Sequence, residues 1–435
     1  MTLRNVKATV MSSERNHELV LLTASAAFIF VAWRALDAAA FSFPVSSNRI
    51  VAQFLISALA GHLGLRFVAP RAAAQPYAVA VLLTAIGLAF VVRLAPEAAA
   101  AQANWVTLGV LLMVGTAWAA RDYPRLRLYK YTSALVAVLL LVATGFLGTT
   151  INGARLWITI GGQTVQTTEL IKLFLVVFLA GYLTDESSVL ASPRMRFGGR
   201  SYSALPYLLP LLATLFIAIA ALALLKDLGS IALLLLLTIG ALYVATGRLS
   251  FVLGGLLLLA STGILGYFAF DHVRARVDVW LDPYATADTS GYQTVQSLYA
   301  VQAGGVTGEG LGLGQPDAVP AATTDYIFDS VAEELGLAGA LGVVLLYVLL
   351  LFAGLRISLG MHDDYGRLLT AIISLLIATQ AAVIIAGNLR IIPTTGITLP
   401  FVSYGGSSLI VNFVLVGLII GVSNRRAGAA IAPPS

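Results

Sequence analysis

The segment LPYLLPLLATLFIAIAALALLKDLGSIALLLLLTIGALYVATG, residues 205–247, decides the fold class. It is 43 residues long, and its only charged side chains are Lys226 and Asp227. About 20 apolar residues cross the hydrocarbon core of a bilayer, so the segment is too long for one membrane helix. We predict two membrane helices joined by a tight turn at the charged pair.

The rest of the chain has the same apolar character. Of 435 residues, 59% are hydrophobic and 11% are charged, and the mean hydropathy is +0.90. This composition excludes an ordinary soluble protein and predicts an all-α polytopic integral membrane protein. About twelve spans are predicted, near 18–36, 50–69, 76–94, 104–120, 131–148, 168–184, 204–224, 228–246, 250–270, 329–355, 367–387 and 405–423. We expect one membrane domain over 1–435, with five spans in 1–148 and a core in 149–425.

Composition also excludes several kinds of site. The chain has no cysteine, so disulfides, thiolate metal sites and cysteine nucleophiles are absent. Its four histidines are scattered and have no metal-binding spacing, so we expect no metal held by imidazole. The net charge of +5 is small and follows from membrane topology, so nucleic acid is not implied as a partner.

The distribution of lysine and arginine predicts the orientation. Basic residues concentrate in alternate loops if both termini are cytoplasmic, as with Arg121, Arg125, Arg127 and Lys130 in one loop. The long loop 271–328 then lies outside. Residues 38–40 resemble a signal-peptide cleavage site, but the apolar core before them is longer than a signal peptide requires. We therefore expect a retained first helix.

Polar side chains cluster where predicted spans meet the outer face. A charge at the middle of a bilayer costs about 2.5–3.5 kcal/mol on insertion scales, so these residues are candidates for function. Four segments carry most of them, 152–172, 225–230, 274–314 and 388–408, and Asp325 lies just after the third. The cations are Arg155, Lys172, Lys226 and Arg390, and the anions are Glu169, Asp227 and Asp325. Because all lie on one predicted side, we expect a single outward-opening polar cavity.

The residues of this cavity favour a lipid-linked phosphate as ligand. Cations bind phosphate well, and the surrounding lipid accommodates a long apolar tail. Structural explanations of single residues stay open at this point. Trp157 suits an interfacial anchor, Glu169 suits the first turn of a helix, and the Lys226–Asp227 pair suits a tight turn.

The stretch TTDYIFDSVAEELG, residues 323–336, carries four carboxylates at the start of the tenth predicted span. Asp325 is the first of them, beside the long loop, and we expect it to act as a general base. Asp329 follows on the same helical face. One interpretation is that its like charge raises the pKa of Asp325, but we expect its side chain to be solvated. Glu333 and Glu334 lie further into the helix, where we expect capping or network contacts.

These segments resemble the signature blocks of the SEDS family, whose members include RodA and FtsW. The matched blocks are N-G-A-x-x-W at 152–157, Q-x-x-E-x-x-K at 166–172, G-Y-Q-x-x-Q-S at 291–297, T-D-x-I-F with E-E-L-G at 324–336, and P-x-T-G-I-x-L-P-F-x-S-Y-G-G-S-S at 393–408. The resemblance runs from about 150 to 425. Thr167 and Thr168 replace the family's Pro and Ser, and Leu225–Lys226 replaces Gln-Pro before Asp227. Five predicted spans precede the first block where usual members have three, and the first two have no assigned role.

The resemblance implies a peptidoglycan glycosyltransferase that polymerises lipid II, a disaccharide-peptide linked to polyprenyl pyrophosphate, on the outer face of the bacterial cytoplasmic membrane. It implies an inverting transfer with polyprenyl pyrophosphate as leaving group, in cell elongation or division, and the loop around 311–320 favours the RodA branch. Asp325 matches the family's essential aspartate, and Glu169, Lys172 and Asp227 match residues of its central cavity. The implied substrate-binding set also includes Arg155, Trp157, Lys226 and Arg390, with no required cofactor and a divalent cation left open. The implied partner is a class B penicillin-binding protein, which packs on spans ten and eleven near Gly336, Gly339, Ala340 and Gly342.

Three alternatives remain open on the sequence. A flippase for lipid II also needs a charged cavity. A different polyprenyl-linked polymerase would use the same leaving group with another sugar. A non-catalytic scaffold would only hold the penicillin-binding protein, and Asp325 would then be dispensable.

Overall fold

The computed structural model describes residues 3–39, 41–42, 47–151, 154–192, 195–197, 200–202 and 205–429. Helices dominate these ranges. They are α1 (Leu3–Ala38), α2 (Ser47–Val68), α3 (Gln75–Leu94), α4 (Pro96–Ala119), α5 (Lys130–Leu147), α6 (Thr167–Ala191), α7 (Leu205–Leu224), α8 (Leu228–Thr246), α9 (Leu249–Ala269), α10 (Asp271–Leu281), α11 (Tyr292–Gly304), α12 (Ile327–Leu359), α13 (Asp364–Asn388) and α14 (Gly406–Ala429).

Eleven segments of the described chain are long and apolar enough to cross a membrane. One of them, Pro96–Leu147, is 52 residues long and contains both α4 and α5, joined by the 3-10 stretch Ala120–Tyr129. Each predicted span therefore corresponds to a helix. The prediction of an all-α polytopic protein is confirmed, and the chain is a multi-pass membrane protein.

Two small antiparallel sheets were not predicted. One has the order β1 (Thr149–Ile151), β2 (Ala154–Ile160), β3 (Gln163–Gln166), and the other pairs β4 (Met195–Phe197) with β5 (Arg200–Tyr202). Gly161 and Gly162 have φ values of +57° and +79°, as a type I′ hairpin turn requires. With the β-branched residues before and after this turn, they form a hairpin where the sequence predicted a loop.

The described chain forms two compact units. The first comprises Met1–Arg121, Asp278–Ile357 and Gln380–Ser435, and the second comprises Asp122–Val277 and Ser358–Thr379. In the first unit, α14 packs closely on α4. A Cβ at Gly417 would meet Met113 O at 2.6 Å, and one at Gly421 would meet the Cβ of Ala120 at 2.4 Å. This spacing of two glycines lets the two backbones approach.

Within the first unit, a buried polar network joins α1 to α2 and to the turn before α3. Arg15 is 0% exposed, and its guanidinium donates to Ala72 O at 2.5 Å and Ala73 O at 3.2 Å. Glu18 pairs with Arg15 at 2.5 Å, and its other oxygen lies 2.8 Å from Nδ1 of His62 on α2. A buried arginine that is paired and bonded to backbone carbonyls fixes α1 against the α2–α3 turn.

Helix α12 is interrupted at Gly336. This residue has φ +67° and ψ −169°, a conformation that glycine adopts without strain. The loop before α12 returns to this break. Glu309 N donates to Glu333 O at 3.0 Å, Gly310 N donates to Glu334 O at 3.0 Å, and Leu337 N donates to Gly305 O at 3.0 Å. The break in the helix is therefore satisfied by the loop.

Candidate active site

The first turn of α6 carries the Glu169–Lys172 pair in the second unit. The Lys172 Nζ lies 2.6 Å from Oε2 of Glu169, and the two side chains are 12% and 4% exposed. Thr167, where the family has proline, receives a 2.6 Å hydrogen bond from the Thr144 hydroxyl and donates to Leu156 O at 3.2 Å. This threonine joins α5, β2 and α6, so the helix begins at a fixed position.

An apolar slot of about 40 Å³ lies beside this pair, between α5, α6, α7 and α8, with Leu376 of α13 also in its lining. Its walls are mostly leucine, alanine, isoleucine and valine, with Thr168, Thr214 and Ser230 as hydroxyl groups. Lys172 is the one charged side chain among the described residues that line it. The slot therefore presents one cation at the edge of an otherwise apolar surface.

Asp227 caps α8 at the α7–α8 turn. Its Oδ1 accepts from Ser230 N at 2.9 Å, and its Oδ2 accepts from the Ser230 hydroxyl at 2.6 Å. The residue is 5% exposed, and burial raises the pKa of the Asp227 carboxyl, while the bonds from Ser230 and the charges of Arg276 and Lys172 act in the opposite direction. Because Ser230 lines the slot, Asp227 lies one hydrogen bond away from it.

The other candidates of this unit lie around the turn and the sheet. Lys226 is exposed and has φ +63°, so turn geometry holds it in a conformation unusual for a residue with a side chain. Arg155 is exposed and donates from Nε to Gly148 O at 2.7 Å and from Nη2 to Phe146 O at 3.1 Å. Trp157 is half-buried against the apolar cluster of α5, α7 and α8. Asn152 and Gly153 of the first block lie outside the described residues.

Asp325 belongs to the first unit, in the turn that precedes α12, and is half-buried. The two residues that precede Asp325 accept hydrogen bonds from the sequence block around 401–406. Tyr404 N donates to Thr323 O at 2.8 Å, and the Ser403 hydroxyl donates to Thr324 O at 2.6 Å. These bonds fix the backbone that carries Asp325, and they join two blocks that are far apart in the sequence.

The expectation that Asp329 is solvated is wrong. Its side chain is 0% exposed and accepts a 2.6 Å hydrogen bond from the Ser297 hydroxyl on α11. That hydroxyl also lies 3.4 Å from Asn388 O. Asp329 points into the contact between α11, α12 and the end of α13, because the helix start is covered by the long loop.

Glu333 and Glu334 make the network contacts that the sequence predicted. Glu333 Oε1 accepts from Gln315 N at 2.6 Å, and Glu334 Oε1 lies 3.3 Å from Nε of Arg93. Arg93, at the end of α3, also reaches Asp317 at 3.2 Å and Gly314 O at 3.2 Å. Arg93 was not among the residues predicted from the sequence, although its position as a cation at a span end was the available signal.

Arg390 lies after α13 and has φ +55°. Its Nε donates to Trp280 O at 2.8 Å and its Nη2 donates to Leu281 O at 2.6 Å, while the Trp280 indole donates to Arg390 O at 3.1 Å. These bonds hold the irregular backbone around 388–398 against the end of α10. Broken helical backbone is tolerated at membrane depth only where such partners satisfy it.

The candidates divide between the two units. The second unit holds Arg155, Trp157, Glu169, Lys172, Lys226 and Asp227, and the first holds Asp325 and Arg390. A single cavity that unites both sets stays a prediction. Within the described ranges, no group of three or more His, Cys, Asp or Glu side chains could hold a metal ion.

Comparison with known proteins identifies the family. The family model of the FtsW, RodA and SpoVE cell cycle proteins matches residues 71–428. A Mycobacterium tuberculosis protein named peptidoglycan glycosyltransferase RodA is 35% identical over 428 residues, which cover 95% of this chain and 91% of the relative. The stage V sporulation protein E of Bacillus subtilis is 36% identical over 290 residues, which cover 66% of this chain and 76% of the relative.

Two solved structures have the same fold. One structure describes the structural coordination of polymerization and crosslinking by a peptidoglycan synthase complex. A chain of that structure matches with a TM-score of 0.62 and 26% identity, over 89% of this chain and 99% of its own length. The rod shape determining protein RodA of Thermus thermophilus matches with a TM-score of 0.58 and 25% identity, over 80% of this chain and 95% of its own length. The match to RodA over the full chain supports the RodA branch. The chain belongs to the family of FtsW, RodA and SpoVE, which confirms the resemblance found in its sequence blocks.

Proposed function

We propose that this chain is a peptidoglycan glycosyltransferase that polymerises lipid II on the outer face of the bacterial cytoplasmic membrane. Family membership supports the reaction class. The observation that carries the assignment to a lipid-linked donor is Lys172, the cation in the lining of an apolar slot between membrane helices. A slot of about 40 Å³ is narrow, so the helices must separate to admit a polyprenyl chain.

The donor side of the reaction belongs to the second unit. The bond that breaks joins the anomeric carbon of the donor sugar to a pyrophosphate oxygen. A pyrophosphate leaves without an acid if cations stabilise its developing charge. Lys172 supplies that charge, with Arg155 and Lys226 as further cations of this unit, and Glu169 orients Lys172 through their 2.6 Å contact. Arg390, which belongs to the first unit, is proposed as a further substrate-binding cation.

The acceptor side needs only a base. The 4-hydroxyl of an acceptor lipid II attacks the anomeric carbon, and Asp325 accepts its proton. A single displacement inverts the anomeric centre, from an α donor to a β-linked product. The hydrogen bonds that hold Thr323 and Thr324 support this role, because a general base must be held in position.

The proposal includes the arrangement of the protein in its membrane. Both units belong to one membrane domain with cytoplasmic termini and a cavity that opens outward. The partner is a class B penicillin-binding protein whose membrane helix packs on α12 and α13. The likeness to a chain of a peptidoglycan synthase complex supports such an assembly.

The test uses proteoliposomes that contain the purified chain with its penicillin-binding partner and fluorescent lipid II in the outer leaflet. We expect glycan polymer on a gel, and parallel samples with EDTA test for a divalent cation. Vesicles with the partner alone are the control. Transport of lipid II between leaflets without polymer would identify a flippase instead, and polymer made only from a different polyprenyl-linked sugar would identify another polymerase.

A further inference from the structure

A second cavity lies in the first unit, between α11 and the loop that precedes α12. Its volume is about 280 Å³, close to the lower end of the range for small-molecule sites. Much of its lining is polar, with Gln296, Tyr299, Glu309, Gln315 and Glu333. Among the described residues that line it, none has a part in the reaction proposed above.

Glu333 lines this cavity, and one of its carboxylate oxygens has no partner among the described residues. The residue is 5% exposed, and its Oε1 accepts from Gln315 N at 2.6 Å. Its Oε2 is buried and has no hydrogen-bond partner among the described residues. A buried carboxylate oxygen without a donor is costly. A cation bound in the cavity would therefore stabilise the charge of this carboxylate.

The cavity is acidic and its walls are tied together. Glu309 is exposed at the rim, and its backbone N–H donates to Glu333 O at 3.0 Å. Both charged side chains in the described lining are carboxylates. Arg93, the cation beside this region, is bound to Glu334 and Asp317 and does not line the cavity.

These features select a cationic hydrogen-bond donor. Two carboxylates fall short of the three or more ligands from which a metal site could be built, and the described chain has no such group. An alkylammonium group, with three N–H donors, fits two carboxylates and an amide. The ring of Tyr299, 50% exposed at the rim, adds an aromatic face that attracts a cation.

We infer that this cavity binds a primary ammonium group on the peptide of the lipid-linked substrate, an inference that rests on the proposed polymerase function. A peptide that is later cross-linked through an amide bond must carry a free amine. Ala300 and Val319 line the cavity. They also pack in one apolar cluster with Tyr326, the residue after Asp325. One apolar layer therefore lies between the cavity and the reaction centre. A sugar held at Asp325 would direct its peptide toward the cavity.

The test compares substrates with a free amine and with an N-acetylated amine on the peptide. Binding of the soluble disaccharide-peptide, without lipid, to the purified full chain is measured by calorimetry. Wild type binds the free-amine form about tenfold more tightly, as expected for a charge-assisted hydrogen bond. In Glu309→Gln and Glu333→Gln this preference disappears, and Glu333→Gln keeps the acceptor for Gln315 N. Asp288→Asn, which removes an exposed carboxylate of the same loop outside the cavity, keeps the preference.

Polymerisation of the two lipid-linked forms is measured in parallel. Equal binding of the two soluble forms by wild type would overturn the inference, even if both lipid-linked forms are polymerised. A preference that survives both Glu309→Gln and Glu333→Gln would also overturn it. A wild-type preference that both variants abolish supports the ammonium site, and polymer formation separately decides the proposed function.

Discussion

At the residue scale, two buried carboxylates differ in how they are satisfied. Glu169 is paired with Lys172, whereas Asp329 has one oxygen bonded to Ser297 and the other without a partner in the described chain. The first arrangement leaves a cation at the slot with its charge partly neutralised. The bond between Ser297 and Asp329 joins α11 to α12 four residues after Asp325, so it fixes the position of the proposed base.

Replacing Ser297 by alanine tests this contact. The change leaves a buried acceptor unsatisfied, so we expect the free energy of unfolding to fall by about 1–3 kcal/mol. Thermal unfolding of the purified chain measures it. Ser261→Ala is the control, because that hydroxyl is exposed on α9 and bonds its own helix at 2.8 Å. An equal effect of the two variants would argue against the Asp329 contact.

Lys172→Ala tests the phosphate role. Loss of a charge-assisted contact costs about 1.5–3 kcal/mol, so we expect polymerisation to fall about ten- to a hundredfold. The variant also leaves Glu169 buried without its partner, which is destabilising by itself. The double variant Lys172→Ala with Glu169→Gln removes that penalty. Recovery of activity in the double variant would mean that Lys172 only neutralises Glu169.

At the element scale, the break in α12 couples the helix to the loop that lines the acidic cavity. A Cβ at Gly336 would lie 2.3 Å from Gly308 N and 2.6 Å from Val306 O. The loop at 305–310 therefore depends on a position that only glycine fills without a clash. The contact with the loop causes the helix to break at Gly336, since the apolar sequence pattern of the span continues through the break.

We expect Gly336→Ala to loosen the loop. The positive φ and the clash together cost about 1–3 kcal/mol, which should raise the rate of proteolysis within 305–315 and lower the unfolding temperature. Gly342→Ala, where a Cβ meets nothing within 4 Å, is the matched control. Equal protease resistance in both variants would show that the loop does not depend on the break.

The sequence predicted the spans because its apolar segments are long enough to cross a bilayer, and other fold classes do not require apolar segments of that length. It missed the β2–β3 hairpin, whose strands are short and whose turn depends on Gly161–Gly162, and it misjudged Asp329. Burial of that carboxylate depends on Ser297, which lies 32 residues away. Charges at span ends and the family blocks predicted the candidate residues, but their contacts with Ser230, Ser403 and Arg93 depend on packing between elements.

At the scale of the whole molecule, an apolar face of α12 is available to a partner helix. Leu341 is 56% exposed, Leu345 57% and Phe352 63%. The predicted small residues on this face are not equivalent. A Cβ at Gly339 would meet the Leu335 side chain at 2.2 Å, whereas Gly342 has open space. A bulky residue at Gly339 therefore perturbs α12 itself, which makes Gly342 the better probe.

Gly342→Leu should reduce co-purification of the penicillin-binding partner, because close helix approach requires a small residue there. The same change at Gly254 on α9, which also has open space, should leave co-purification unchanged. Both variants should unfold at the wild-type temperature. Unchanged co-purification of Gly342→Leu would exclude this face as the partner surface.

The most direct test of the central claim is polymerisation of outer-leaflet lipid II by Asp325→Asn. Asparagine keeps the shape of the side chain and caps a helix as well as aspartate, but it cannot accept the proton of a hydroxyl. Loss of a general base costs about 10²–10⁴-fold, so we expect no visible polymer, with unfolding temperature and partner binding unchanged. A rate above about a tenth of wild type, less than loss of a base should cost, would contradict the account.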